Sequence, residues 1–189
     1  MAFRDELTGL PGRRALNEML QRLGRQYVLA MADVYHFKRF NDTHGHDVGD
    51  QVLKMVASRL RKIGGGGRAY RYGGEEFTLV FSGRSVEECL PHLEAIRQSV
   101  ESYALQLRDA SSRPKDDRLG RTARGKVSTS QVSVTISIGV AERQGEQRTP
   151  DEVIKAADQA LYGAKKAGRN CVRVHGSGRG AVRMNGHSH

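Results

Sequence analysis

Tryptophan is absent from the 189-residue sequence, aromatic residues make up only 6%, and cysteine occurs twice, at Cys89 and Cys171. Neither cysteine has a Cys or His neighbour at zinc spacing, so both read as reduced packing residues and a zinc module is excluded. So few aromatics leave little surface for stacking bases, which weighs against a nucleic-acid module despite the basic charge. Long hydrophobic runs are missing too. No stretch approaches the ~20 apolar residues that cross a bilayer, and the opening Met1-Ala2-Phe3-Arg4-Asp5 lacks the charged-then-apolar pattern of a signal peptide. A cytoplasmic protein is expected. Acidic residues are outnumbered, 21 Asp and Glu against 31 Lys and Arg, a net charge of +10. That surplus attracts anionic partners such as nucleotides, nucleic acid or a membrane surface, but it is also common on ordinary solvated surface.

What is present is the pattern of one globular domain, 38% hydrophobic and 28% charged. Leu16, Met19, Leu20 and Leu23 recur at helical spacing after a break at Leu10-Pro11-Gly12. The run Tyr27-Val28-Leu29-Ala30-Met31-Ala32 then reads as a buried central strand that stops at Asp33. Val52, Leu53, Val56, Leu60 and Ile63 form a second helical stripe, closed by four glycines at positions 64–67. Residues 69–72 and 77–81 are short apolar runs around Gly73-Gly74-Glu75-Glu76, the form of a β-hairpin.

A helix is expected over 86–100, and a strand over 132–140, where apolar residues strictly alternate with small and polar ones. Pro150 and Asp151 open a last helix, and residues 171–174 form a last strand. Between positions 107 and 131 the pattern dissolves into a basic stretch, read as a mobile inserted loop, and residues 175–189 read as a disordered tail. Strands interleaved with helices, plus one hairpin, predict an α+β (α/β) domain: an open mixed sheet of the split βαβ, ferredoxin-like kind flanked by helices.

Three acids stand where packing does not ask for them: Asp33 at the end of the apolar strand, and Glu75 and Glu76 at the hairpin tip. Converging carboxylates repel and call for a cation. Oxygen ligands at strand ends suit Mg²⁺, which takes one or two carboxylates and leaves its other positions to water and phosphate. The alternative, open on spacing alone, is a pair of exposed turn residues. Gly73-Gly74 allows a phosphate to approach the backbone, but an ordinary tight hairpin also uses glycine. His36, His44 and His46 lie close in sequence but lack a zinc-binding frame, and read as surface or nucleotide-side histidines.

The segment Arg71-Tyr72-Gly73-Gly74-Glu75-Glu76-Phe77 resembles the signature of the GGDEF family, the diguanylate cyclases, in its Glu variant. Other pieces of that family follow in order: Asp5-Glu6-Leu7-Thr8-Gly9-Leu10, Phe37-Lys38-Arg39-Phe40-Asn41-Asp42, Gly45-His46-Asp47-Val48-Gly49-Asp50, Ala157-Asp158-Gln159-Ala160-Leu161-Tyr162 and Ala167-Gly168-Arg169-Asn170. The resemblance covers residues 5–174 and implies a domain over 1–174 with a palm-like, nucleotide-cyclase-like sheet. It further implies a homodimer, normally attached to a sensor or dimerisation module, that condenses two GTP into cyclic di-GMP and two pyrophosphates.

By position, Asp33, the carbonyl of Val34 and Glu75 would hold Mg²⁺ or Mn²⁺. Glu75 would also take the proton of the attacking hydroxyl, assisted by Glu76. Lys38, Lys165 and Arg169 would contact phosphates, with Lys38 acting in catalysis. Asn41 and Asp50 would bind the guanine edge beside His46, with Gly73 and Gly74 against the nucleotide. An Asp acceptor facing the guanine N–H groups would be left unmet by adenine, so Asp50 argues for GTP over ATP.

Two departures stand out. Tyr35 occupies the place of the family's second Asp, which leaves open a degenerate domain that binds GTP without turnover. The glycines at 64–67 replace the Arg-x-x-Asp that many members use as an inhibitory product site. Without a guanidinium there, no feedback inhibition is expected.

Overall fold

The computed structural model describes residues 4–35, 46–107, 130–143 and 149–176. The apolar run begins the central strand, β1 (Tyr27–Val34), in which every residue is buried. Burial on both faces is what a strand covered by helices on either side requires. A five-stranded sheet forms around it in the order β2-β3-β1-β6-β7. Here β2 is Arg68–Arg71, β3 is Glu76–Ser82, β6 is Ile136–Glu142 and β7 is Val172–Val174. All neighbours are antiparallel except β6 and β7, which run parallel. The mixed sheet with one hairpin is the predicted architecture.

Alternation along β1 divides the core. Val28, Ala30, Ala32 and Val34 face α2 (His46–Leu60) and α3 (Val86–Glu101), through Val52, Val56, Leu60, Leu93 and Ile96. Tyr27, Leu29 and Met31 face the other way, onto α1 (Arg13–Gln21) and α4 (Pro150–Lys166), through Leu16, Leu20, Val153, Ala157 and Leu161. By the same alternation Asp33 points to the side of α1 and α4.

Helix starts are chemically marked. Ser85 and Glu88 form a reciprocal capping box on α3, and Thr149 caps α4, with Pro150 in its first turn and Lys165 and Lys166 in its last. The α4 backbone lies directly on β6. A Cβ at Gly139 would come within 2.1 Å of the Leu161 nitrogen and 2.2 Å of the Ala157 carbonyl oxygen. Only glycine permits that approach, which carries the end of α4 to the end of β1.

Two expectations are corrected. The strand expected over 132–140 is divided between two sheets: β5 (Ser130–Val132) pairs antiparallel with β4 (Leu105–Leu107), and only from Ile136 does the chain join β1. A continuous alternating pattern cannot show a change of partner. The basic insertion therefore starts and ends on a ladder, with Leu107 opposite Ser130, rather than as loop from 107 to 131. Its interior, positions 108–129, lies outside the described residues, as does the tail from 177.

Candidate active site

The register places a row of side chains across three strands. Asp33 on β1 stands opposite Glu76 on β3 and Ser137 on β6. Directly opposed residues of antiparallel strands share a face, so Glu76, Asp33 and Ser137 all look toward α4. The Val34 amide donates to the Glu75 carbonyl at 3.4 Å, and the amides of Tyr72 and Gly73 donate to the Glu76 carbonyl, fixing the glycine turn beside the end of β1.

Asp33 is only 6% exposed. Its Oδ2 accepts an ion pair from Lys165 Nζ on the last turn of α4, while its Oδ1 is buried without a hydrogen-bond partner among the described residues. A buried carboxylate oxygen with no donor is costly and calls for a cation or water. Burial, followed by the negative charge of Asp33, raises the pKa of both Glu75 and Glu76, and Lys165 opposes this. Asp158 on α4 also raises Glu76. The carboxyl of Asp158 is itself raised by partial burial, against the attraction of Lys165 and Arg13. Burial is the first cause of all three shifts.

The donor set fits a hard divalent cation: carboxylate oxygens at a strand end, one without a partner, beside others that resist ionising alone. Among the described residues no three His, Cys, Asp or Glu side chains form a ready-made metal cage.

The structure brings together Asp33, Val34, Gly73, Gly74, Glu75, Glu76 and Lys165. Arg169 joins them by a route that spacing could not show. Gly168, Arg169 and Asn170 are successive residues with positive φ, held because the Asn170 amide donates to Ser137 Oγ and buried Arg97 donates to Asn170 Oδ1. This bend lays the Arg169 guanidinium on the ring of Tyr35, 4.9 Å from its centroid. The unusual tyrosine is stacked on a predicted phosphate ligand. Asp50 lies exposed on α2, which packs on the other face of the sheet. Lys38 and Asn41 fall outside the described residues, and of His46 only the backbone, at the start of α2, is described.

Sequence reasoning missed a clamp on the turn. Arg71 donates to the carbonyls of Gly73 and Gly74 at 3.1 and 2.7 Å and forms an ion pair with Asp5 at 2.8 Å. Asp5 in turn accepts from the amide and hydroxyl of Thr8. Burial tends to raise the Asp5 carboxyl, but Thr8 and Arg71 outweigh it and hold the pKa below the ordinary 3.8. Arg13 stacks on Tyr72, 4.1 Å from the ring centroid, on the same side. A groove of about 530 Å³ between Arg13, Arg71 and the two glycines borders the turn. A cavity of about 720 Å³ near Tyr27 lies at the opposite end of β1 and contains none of these acids.

A mixed palm-type sheet with carboxylates at the end of its central strand defines the class of cyclase-like palm domains. The chain matches the family described as "Diguanylate cyclase, GGDEF domain" over residues 2–116 and 119–171, and it belongs to the GGDEF family. It is 37% identical over 175 residues to diguanylate cyclase VdcA of Vibrio cholerae, covering 90% of this chain and 46% of that protein. To the response regulator PleD of Caulobacter vibrioides it is 36% identical over 180 residues, covering 91% of this chain and 36% of PleD. The chain thus spans less than half the length of either relative. The crystal structure of the GGDEF domain of DgcB from Caulobacter crescentus, in complex with c-di-GMP, is similar with a TM-score of 0.77 at 34% identity, over 92% of this chain and 93% of that chain. Among the described residues no helix is long and apolar enough to cross a membrane.

Proposed function

We propose that this chain is the catalytic domain, over residues 1–174, of a cytoplasmic diguanylate cyclase of the Glu variant. In this reading two copies, each holding one GTP, join them into cyclic di-GMP and release two pyrophosphates. The observation that carries the reading is the buried Asp33 carboxylate with its unpartnered Oδ1, in one row with Glu76 and next to Glu75 and the glycine turn. Asp33, the Val34 carbonyl and Glu75 are the groups that would hold Mg²⁺ or Mn²⁺. Such an ion lowers the pKa of an attacking hydroxyl and takes up charge on a leaving pyrophosphate.

The chain's own residues divide the remaining work. Glu75, its affinity for a proton raised by burial and by Asp33, accepts the proton of the 3′-hydroxyl as its oxygen bonds to the α-phosphorus and the bond to pyrophosphate breaks. Glu76 and Asp33 hold the charge balance around it. Arg169, braced by Tyr35, presents a planar guanidinium to phosphate oxygens, and Gly73 and Gly74 leave the backbone open to the nucleotide. Lys38, Asn41, His46 and Asp50 are assigned to phosphate and guanine as the family resemblance implies. A sensor or dimerisation module elsewhere in the full-length protein would bring two copies together.

Incubation with GTP and Mg²⁺ followed by nucleotide chromatography tests the reading. Cyclic di-GMP and pyrophosphate should form, and Asp33→Asn should lower the rate by about 10²–10³-fold, the scale of losing a main electrostatic contributor. Unchanged GTP at high protein concentration would favour the turnover-free GTP-binding alternative that Tyr35 raises.

A further inference from the structure

We propose that Lys165 is a resident stand-in for the divalent cation: its ammonium occupies Asp33 until the ion arrives, and metal loading expels it. The inference rests on the reading of Asp33 as a metal ligand.

Asp33 is the penultimate residue of a strand that is buried throughout, and its side chain is 8% exposed. Left alone, a carboxylate so placed would be an uncompensated buried charge. Lys165 compensates it. The lysine reaches Asp33 from the last turn of α4, where the helix dipole also favours a cation. The seat of α4 on Gly139 brings that turn within reach. Yet the compensation is incomplete, since Oδ1 has no hydrogen-bond partner among the described residues. One carboxylate therefore pairs with an ammonium through one oxygen and offers the other to a cation.

A divalent ion on this carboxylate brings two positive charges against a third within a few ångströms, in a partly dry site where Coulomb repulsion is weakly screened. The ammonium has somewhere to go. Its side chain is 33% exposed and flexible. Asp158, two turns earlier on the same face of α4, draws it electrostatically, as do Glu75 and Glu76. Once off Asp33 the ammonium is free to meet phosphate oxygens. Nucleotide arriving before the metal would find the lysine engaged and the carboxylates repelling its phosphates. By linkage, Lys165 weakens metal binding in the absence of nucleotide as much as metal weakens the Lys165–Asp33 pair.

The test measures Mn²⁺ alone, without nucleotide, by electron paramagnetic resonance of the free ion, on the whole chain. Lys165→Met keeps the stem and removes the charge, and Lys165→Gln provides a second neutral variant should the first fold poorly by circular dichroism. Either neutral variant should bind Mn²⁺ about tenfold more tightly than the unmodified chain, a coupling of ordinary size, while Asp33→Asn should lose the site. Equal or weaker Mn²⁺ affinity in the folded neutral variants, with binding still lost in Asp33→Asn, would overturn the exchange and leave the metal site standing. Unaltered Mn²⁺ affinity in Asp33→Asn would remove the metal-site reading and the exchange together.

Discussion

Asp5 and Arg71 are 66 positions apart in sequence, yet their 2.8 Å ion pair fixes the tip of the glycine hairpin. Both side chains are mostly covered, at 22% and 16% exposure, so solvent screens the pair less than it would on an open surface. Replacing Asp5 by Asn should cost about 1–2 kcal/mol at neutral pH, the scale of a lost hydrogen bond to a charged group. For a chain of this length that is a fall of roughly 2–8 °C in Tm. The sign of the pH dependence follows from the lowered carboxyl. Its folded pKa lies below the ordinary 3.8, so the stabilisation is full well above that value and drains away as pH falls through the folded pKa. Melts of the parent and Asp5→Asn should differ at pH 7 and converge as the pH falls below the folded pKa of Asp5. A constant difference at every pH would show that the carboxylate's charge plays no part. At this scale the sequence was informative about chemistry with a local cause. Asp33 was visible because it ends an apolar run, and Glu75 and Glu76 because glycines precede them. Arg71 stood in a recognised motif, but its service to Asp5 required the fold, as did the stacking of Tyr35 on Arg169 through a bend of positive φ.

Elements were legible where periodicity had a single cause, and β1, the β2–β3 hairpin and the three longer helices lie close to their predicted positions. Legibility failed at residues 130–142, where one alternating run serves two sheets. The glycines at 64–67 are a further case in which the sequence showed absence and the structure supplies the reason. Gly65 and Gly66 have positive φ. A Cβ at Gly64 would meet the His92 ring at 2.6 Å, and one at Gly67 would meet buried Phe81 at the same distance. The turn is packed under His92 and against the core, so Arg and Asp at its ends would have to displace both. Cyclic di-GMP raised in steps over about a hundredfold concentration range, so that occupancy follows its ratio to any dissociation constant, should leave the initial rate of GTP turnover unchanged. A rate that declines to a plateau, together with saturable product binding lost on altering His92, would contradict this and place an inhibitory site at the turn.

At the scale of the whole molecule, the candidate acids Asp33, Glu75 and Glu76 lie at one end of one sheet, whereas the proposed product contains two new phosphodiester bonds. Each bond needs the hydroxyl of one GTP presented to the α-phosphate of the other, so two sites must face each other. The chain carries a net charge of +10, and two copies repel at long range unless anions lie between them. Two bound triphosphates supply those anions, so substrate itself should favour the productive pair while GTP-free copies stay apart. Turnover per copy should therefore depend on concentration. Below the dissociation constant of the pair, specific activity should rise in proportion to protein concentration, and over about a hundredfold dilution series it should bend to a plateau as pairing saturates. Joining the chain to a segment that dimerises independently should remove the dependence by raising the effective concentration of the second site to about the millimolar range. Sedimentation with and without a non-hydrolysable GTP analogue should show the same pairing without chemistry. A specific activity that is flat across the dilution series, with sedimentation of a single copy at every concentration, would mean that one chain completes both bonds and that the two-copy arrangement is wrong.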